Sequence, residues 1–194
     1  MNAATSATRQ GILQAAMVCF SRKGYSHTSV DDIRVLSGIS KGGIYHHFKS
    51  KEDIFVSMLE KWMEDWRKII DPELAKIEDF ATWLHRYGQL YCDSLEFPLF
   101  HTFPEFYWVN MDSPYRQRLV ECFAFEPQML ADRIKKAQEN GLAGSYDSRI
   151  LGEVLLSSLD GIVDDWLWNK EPLETVRQKF ALTINIFLWG TQHL

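Results

Sequence analysis

The sequence has few cysteines and no long apolar run, and each shortage excludes a class of protein. Its three cysteines, Cys19, Cys92 and Cys122, form no C-x-x-C pair, so neither a disulfide framework nor a zinc knuckle is expected. Apolar runs such as residues 15–20 fall far short of the roughly 20 residues that span a bilayer. The N-terminus has neither the basic start nor the apolar stretch of a secretory signal. We therefore expect a cytoplasmic protein without a membrane segment.

Catalytic and cofactor-binding motifs are also missing. The sequence has no G-x-S-x-G, H-E-x-x-H, P-loop or dinucleotide-binding pattern. His46 and His47 are adjacent, and neighbours on a helix point about 100° apart, so they are not expected to share a metal ion. We therefore expect neither an enzyme nor a metal or other cofactor.

The sequence does have an uneven distribution of charge. Its 194 residues carry a formal net charge of −5. Residues 1–51 contain seven Lys and Arg against two acidic side chains, a balance of +5, so residues 52–194 carry −10. A basic head on an acidic body is typical of a chain that binds a polyanion at one end.

Hydrophobic periodicity predicts an all-α fold of about nine helices. Apolar residues recur at the spacing of helix faces, and no stretch sustains the alternation of a strand. The predicted helices are residues 6–23, a short one that follows Thr28 and ends at residues 37–38, residues 41–47, a long one that follows Ser50 and ends at about residue 70, residues 73–94, a short interrupted one within 96–114, and residues 115–140, 147–168 and 172–191.

Capping residues and a proline predict where some of these helices begin and end. Thr28 with Asp31, and Ser50 with Asp53, have the spacing of a capping box. The Asp-Pro pair at 71–72 is expected to end the long fourth helix, because a residue before proline is pushed away from helical geometry.

Two short helices joined by a turn at residues 37–40 have the size of a helix-turn-helix, whose second helix enters the major groove. The surrounding run, GYSHTSVDDIRVLSGISKGGIYHHFKSKED at residues 24–53, resembles the DNA-binding domain of the tetracycline-repressor (TetR) family of bacterial transcriptional regulators. The resemblance implies a three-helix DNA-binding domain, residues 1–51, and a helical effector-binding and dimerisation domain, residues 52–194.

The candidate DNA-binding residues surround the second helix of this motif. Small residues at its start let a phosphate approach the free backbone N–H groups, and the lysines add sequence-independent attraction. The resemblance assigns most of the same positions to DNA contacts. The full set is Thr28, Ser29, Arg34, Ser40, Lys41, Gly42, Gly43, Tyr45, His46, His47, Lys49 and Lys51.

Two of these positions depart from the family pattern. Gly43 stands where the family commonly has Thr or Ser, which removes a hydroxyl contact and weakens the helix by roughly 1 kcal/mol relative to alanine. Arg34 stands where the family often has alanine, so it is expected either to reach DNA or to alter the local packing.

Aromatic residues are concentrated in the body, which holds all seven tryptophans. Residues 97–108 combine six aromatics with two prolines, a mixture that favours a pocket wall over a regular core helix. The resemblance implies a small-molecule effector in the body, and the composition favours an apolar or aromatic one. The candidate effector-binding residues are Trp62, Trp66, Trp83, Tyr87, Tyr91, Phe103, Glu105, Tyr107, Trp108 and Phe123.

The last two helices are apolar on more than one face, which predicts a central position or half of an oligomer interface. The resemblance implies a symmetric homodimer through a four-helix bundle. A dimer also suits a palindromic operator, whose half-sites lie roughly 34 to 36 Å apart. The candidate interface residues are Leu151, Val154, Leu155, Ser158, Leu159, Ile162, Trp166, Val176, Phe180, Ile184 and Phe187.

The sequence therefore predicts a homodimeric transcriptional regulator, a repressor that a small apolar or aromatic effector releases from a palindromic operator. The expected mechanism is a population shift toward a conformation whose recognition helices are wrongly spaced. Two alternatives keep the DNA-binding head. One is a thiol switch at Cys92 or Cys122, and the other is a constitutive DNA-binding interaction module without an effector.

Overall fold

The computed structural model describes residues 3–97, 100, 102–109 and 114–191, and the side chains of all of these except residues 3–5 and 107–109. The described part of the chain is built from ten helices and contains no strand, so the predicted all-α fold is confirmed. The predicted helix over 115–140 is two helices separated at Ala124. In chain order the helices are α1 (Ala3–Lys23), α2 (Val30–Ser37), α3 (Lys41–His47), α4 (Lys51–Leu74), α5 (Phe80–Ser94), α6 (Phe103–Val109), α7 (Arg116–Phe123), α8 (Phe125–Glu139), α9 (Ser148–Asn169) and α10 (Leu173–Thr191).

Helix α2 begins at a capping box that lies one residue later than predicted. The backbone N–H of Asp32 donates to the Ser29 hydroxyl at 3.1 Å, and the backbone N–H of Ser29 donates to the Asp32 carboxylate at 2.8 Å. The expected pair of Thr28 and Asp31 is wrong because Thr28 is buried, and its hydroxyl is directed at the carbonyl of Cys19 inside the fold.

Helix α4 starts as predicted and ends later. The Asp53 backbone N–H donates to the Ser50 hydroxyl at 3.2 Å, which is the expected cap. The predicted stop at the Asp-Pro pair is wrong, since α4 continues to Leu74. Pro72 lies in the last turn, where its missing N–H removes a single intrahelical hydrogen bond. Asp79 then caps α5, which therefore begins at Phe80 and not at residue 73.

The chain divides into two compact units. The first consists of residues 1–65 and 97–122, and the second of residues 66–96 and 123–194. Helix α6 and most of α7 therefore belong to the same unit as α1 to α3, while α4 contributes residues to both. The sequence predicts a DNA-binding domain over residues 1–51 and a second domain over residues 52–194, and this division stays a prediction.

An aromatic cluster around Tyr25 forms the centre of the first unit. Phe20, Phe55 and Phe106 surround the Tyr25 ring at centroid distances of 4.8 to 5.7 Å. All four side chains are buried, and they come from α1, the turn after it, α4 and α6. Helix α6 is therefore packed against the elements that carry the helix-turn-helix.

In the second unit α5 packs against α8 and α10, and α9 packs against the same two helices. Two glycines allow close approach. A Cβ atom on Gly88 of α5 would lie 2.5 Å from the Ile184 side chain of α10, and one on Gly152 of α9 would lie 3.1 Å from the Ala131 backbone of α8. No helix among the described residues is both long and apolar enough to cross a bilayer.

Candidate nucleic-acid interface and effector-binding residues

Helix α3 presents a polar face to solvent because its apolar residues are fixed inside the first unit. Ser40 caps the helix by accepting a hydrogen bond from the Gly43 backbone N–H at 3.2 Å, as predicted. Ile44 and Phe48 are fully buried. Their burial sets the rotation of the helix, so that Tyr45, 48% exposed, lies on the outer face. A short, rigid helix with an open N-terminus and an exposed polar face can enter a DNA groove.

Most of the predicted DNA-binding residues are accessible. Gly43, His47 and Lys51 are half-buried, and Thr28 is buried. Arg34 pairs with Asp31 at 3.0 Å on the surface of α2, so of the two alternatives the structure favours the outward orientation over altered core packing. The exposed members of the set are Ser29, Arg34, Ser40, Lys41, Gly42, Tyr45, His46 and Lys49.

Two predicted DNA-binding residues have structural partners of their own. Thr28 is only 2% exposed, which leaves its side chain no path to a phosphate in this conformation. Lys51 donates a hydrogen bond to the Tyr25 carbonyl at 2.9 Å and lies 4.2 Å from the centre of the Tyr25 ring. Its ammonium group therefore stabilises the turn between α1 and α2.

The Gly43 departure has a packing reason. A Cβ atom at this position would lie 2.9 Å from the Ile39 side chain and 3.3 Å from the Ser40 hydroxyl. A serine or threonine here would force Ile39 to move, so glycine suits this turn.

Sequence reasoning missed a further cation. The Arg9 guanidinium on α1 lies 5.0 Å from the centre of the Phe48 ring, and no local pattern links residues so far apart in the chain.

Glu105 on α6 binds the backbone of the turn that leads into α2. Its carboxylate accepts hydrogen bonds from the backbone N–H groups of Tyr25 at 2.7 Å and Ser26 at 2.9 Å. Desolvation opposes ionisation, but hydrogen bonds from the Ser26 hydroxyl and from these two backbone groups prevail and lower the pKa of Glu105. This predicted effector ligand therefore serves as a clamp within the first unit.

A second clamp joins α7 to the start of α4. The Arg118 guanidinium donates to Asp53 at 2.6 Å, Glu60 at 2.7 Å and Ser57 at 3.0 Å. Hydrogen bonding to Glu60 is the largest of the effects that raise the pKa of Arg118. Because one guanidinium donates to two carboxylates and a hydroxyl, this attachment is more rigid than an isolated ion pair on the surface.

The predicted effector-binding residues are divided between the two units. Trp62 lies in the first, where its ring stacks on Phe97 at 5.2 Å, and Phe103 also lies there, half-buried. Phe123 is half-buried in the second unit. The side chains of Tyr107 and Trp108 lie outside the described residues. The members that the second unit brings together, all buried, are Trp66, Trp83, Tyr87 and Tyr91.

Two carboxyl groups that sequence reasoning missed lie beside these rings. The Tyr87 hydroxyl donates to Glu126 at 3.1 Å, and the Tyr91 hydroxyl donates to Asp160 at 2.5 Å. Burial raises the pKa of Glu126 to about 7, and desolvation also raises the pKa of Asp160. One signal was available, because Glu126 precedes the buried Leu130 by one helical turn and so shares its face.

The second unit also has an open cleft of about 360 Å³ beside Trp83. Its wall includes Leu74 and Met129 together with the basic Arg133. The Arg133 guanidinium lies 5.4 Å from the centre of the Trp83 ring and donates to the Ile77 carbonyl at 3.0 Å. The ring of Trp83 also stacks on Tyr87 at 6.0 Å. The Trp83 indole therefore lies in the wall of the cleft and also contacts the buried ring of Tyr87.

About half of the predicted dimer residues are buried within the second unit itself. Ile162, Trp166 and Phe187 are half-buried, while Val154 and Ser158 are exposed. Helical periodicity identified the apolar faces but not which of them turns inward. The buried members are Leu151, Leu155, Leu159, Val176, Phe180 and Ile184. The exposed apolar residues of α9 and α10, which the prediction mostly omitted, are Ile150, Val154, Trp168, Leu182, Ile186 and Trp189.

Two of the three cysteines give little support to a thiol switch. Burial raises the pKa of Cys92 to about 12 and also raises the pKa of Cys19. A thiol reacts with oxidants as its thiolate, so a buried thiol with a raised pKa is unreactive. Cys122, the other candidate, is half-buried on α7.

Comparison with known proteins gives one family model and several similar transcriptional regulators. Residues 12–58 match the family model described as bacterial regulatory proteins, tetR family. The HTH-type transcriptional regulator QacR of Staphylococcus aureus is 27% identical over 161 residues, covering 78% of this chain and 82% of that protein. The HTH-type transcriptional repressor BepR of Brucella suis is 25% identical over 181 residues, covering 87% and 85%.

Solved structures show the same fold. The transcriptional regulator FadR of Bacillus subtilis, in complex with stearoyl-CoA, superposes with a TM-score of 0.76 at 19% identity over 93% of this chain and 98% of that one. The reduced form of NemR from Escherichia coli superposes with a TM-score of 0.77 at 17% identity, covering 92% and 95%.

Proposed function

Because this chain belongs to the TetR family of bacterial transcriptional regulators, we propose that it is a repressor that binds a palindromic operator as a homodimer and leaves it when a small effector binds the second unit. The observation that carries the proposal is the outer face of α3. Lys41, Tyr45 and His46 project from a helix whose rotation is fixed by buried Ile44 and Phe48. This arrangement is suited to major-groove docking.

The exposed apolar stripe of α9 and α10 supports the homodimer. Ile150 and Val154 are followed on the same face of α9 by the small residues Ser157 and Gly161, all exposed. Leu182 and Ile186 of α10 lie one turn apart. Large apolar side chains next to small residues allow close helix approach, and a closed two-fold dimer would cover them.

One helix and two clamps within the first unit support transmission from effector to DNA. Helix α4 runs without interruption from the end of the recognition motif into residues of the second unit. Arg118 attaches α7 to the first three turns of α4, and Glu105 attaches α6 to the turn before α2. A displacement of α4, α6 or α7 would therefore move the helix-turn-helix as a body, which changes the spacing of paired recognition helices.

Operator selection and footprinting test the proposal. Genomic fragments retained by the full-length protein should yield a protected palindrome whose halves lie about one helical turn apart. Lys41→Ala should weaken binding about tenfold and reduce its salt dependence by about one ion per protomer. The matched control is Lys135→Ala, because Lys135 is exposed on α8 in the second unit. Diffuse protection without a palindrome would refute operator recognition, and equal effects of both variants would refute the assignment of α3.

A further inference from the structure

The chain that leaves helix α3 is held by a carboxylate of α4. Helix α3 ends at the cap residue Phe48, and the backbone N–H of the next residue, Lys49, donates to one carboxylate oxygen of Asp53 at 2.8 Å. The Asp53 backbone N–H donates in turn to the Ser50 hydroxyl at 3.2 Å. Phe48 and Asp53 are buried, whereas Lys49 is exposed. The backbone of Lys49 is therefore fixed while its side chain stays open to solvent.

Arg118 on α7 holds the other oxygen of this carboxylate. Its Nε and Nη2 atoms donate to the two oxygens of Glu60 at 2.8 and 2.7 Å, a bidentate pair that fixes the plane of the guanidinium. The remaining nitrogen, Nη1, donates to Asp53 at 2.6 Å. Burial opposes ionisation of Asp53, but the hydrogen bonds from the Lys49 backbone and from Arg118 prevail and lower its pKa. Arg118 therefore keeps Asp53 charged and oriented where it accepts the Lys49 N–H.

Lys49 is better placed for contact with DNA than Lys51, the other lysine that follows α3. The Lys51 ammonium group is engaged with the carbonyl and the ring of Tyr25. Lys49 is exposed and comes directly after the C-terminal cap of α3. A lysine contributes to DNA binding as a charge near a phosphate, and the contribution is larger when the backbone beneath it is already ordered before binding.

We propose that Arg118 is a positioning residue for DNA binding, which holds the Lys49 backbone through the Asp53 carboxylate so that the Lys49 ammonium group meets a phosphate of the operator. This inference rests on the proposed function and deepens it, since it assigns a residue of α7 to the affinity for DNA. Arg118 acts through Lys49, because its own guanidinium is occupied by Glu60 and Asp53. Loss of the Arg118 contact therefore weakens DNA binding even when the helix-turn-helix does not move as a body.

A double-mutant cycle on operator affinity tests the link between Arg118 and Lys49. Fluorescence anisotropy with the full-length protein gives the affinities of the wild type, Arg118→Met, Lys49→Ala and the double variant. We expect each single variant to bind about tenfold more weakly and to reduce the salt dependence by about one ion per protomer. The double variant should bind only about tenfold to twentyfold more weakly than the wild type, because the contact that Arg118 positions is already lost. A loss of roughly a hundredfold in the double variant, or an unchanged affinity of Arg118→Met, would overturn the inference.

Arg116→Met is the matched control, because Arg116 is an exposed cation of the same helix. The substitution removes the same charge from α7 and leaves Arg118 in place. We expect operator affinity to change by less than about twofold, and this change to add to the effect of Lys49→Ala. An effect equal to that of Arg118→Met would show that α7 acts on DNA through its overall charge, and it would reject the inference.

Hydrogen exchange of the Lys49 amide separates a local effect from a loss of folding. In Arg118→Met the protection of this amide should fall at least about tenfold. The Ile44 amide inside α3 donates to the Ser40 carbonyl, and its protection should not change. If protection falls at both amides, the milder variant Glu60→Gln decides, because it loses the bidentate ion pair but leaves Arg118 charged beside Asp53. Lys49 protection and operator affinity should then both fall in Glu60→Gln, and unchanged Lys49 protection would overturn the inference.

Footprinting separates this inference from the proposed function. A protected palindrome with additive losses in the double-mutant cycle rejects the inference alone, and a protected palindrome with coupled losses supports both. If no palindrome is protected, the same cycle is measured on a duplex of arbitrary sequence, since phosphate contacts do not depend on sequence. Coupled losses on that duplex support the positioning role of Arg118 and reject operator recognition, whereas additive losses reject both.

Discussion

Among single residues, Glu126 is the one whose ionisation opposes folding most clearly. Burial raises its pKa from 4.5 to about 7, so the folded state holds the proton more tightly than the unfolded state between these values. Below pH 4.5 Glu126 is protonated in both the folded and the unfolded state, so it does not oppose folding. As the pH rises through 7 the folded state must give up this proton, and the stability that the protonated form allowed is lost. The groups that face it are Tyr87, Trp66 and Asp160, and the raised pKa of Asp160 acts in the same direction.

Glu126→Gln should therefore stabilise the protein in a pH-dependent way. We expect the free energy of unfolding to rise by roughly 2 to 3 kcal/mol at pH 8 and by little at pH 4.5. Urea denaturation at a series of pH values measures this difference. Glu139→Gln should leave the profile unchanged, because Glu139 is exposed near the end of the same helix. Parallel profiles for the wild type and Glu126→Gln would contradict the assigned pKa.

Glu105 offers the opposite case, an acid that stabilises the fold when ionised. Its carboxylate accepts two backbone hydrogen bonds in the first unit, so Glu105→Ala should lower the free energy of unfolding by about 1 to 2 kcal/mol. Because the lost contacts fix the turn before α2, operator affinity should also fall, which anisotropy would detect. Glu121→Ala on the exposed side of α7 is the control. An operator affinity that survives Glu105→Ala would show that the clamp is not needed for DNA binding.

At the scale of a single helix, the cap of α2 should contribute measurably to stability. Ser29→Ala removes the hydroxyl that caps α2, so we expect a loss of about 1 kcal/mol in the free energy of unfolding. Thermal unfolding followed by circular dichroism gives the size of the loss. Ser145→Ala is a suitable control, since Ser145 is exposed in the loop before α9. Equal midpoints for the two variants would show that the box adds nothing.

The sequence predicted which segments form helices better than it predicted which face of each helix is buried. Periodicity and the Ser40 cap located α3 because those signals are local. The position of the α2 cap was missed, since the sequence does not show that Thr28 turns inward. Glu126 was missed because an acid on an amphipathic helix is usually solvated, and only the packing of α5 against α8 shows that it is buried. Leu155 and Val154 are both apolar neighbours on α9, yet one is in the core and the other on the surface.

We expect assembly of the whole molecule to depend on the exposed faces of α9 and α10. Ile186 is 61% exposed in the isolated chain, and a dimer that buries it cannot accept a charge there without a large penalty. Ile186→Glu should therefore weaken dimerisation at least tenfold, measured by sedimentation equilibrium, and should weaken operator binding with it. Val120→Glu changes a similarly exposed apolar residue of α7 and should leave both unchanged. An Ile186→Glu protein that stays dimeric would place the interface elsewhere. A monomer that still protects both half-sites at the wild-type concentration would instead show that the operator, rather than the α9 and α10 surface, brings the two copies together.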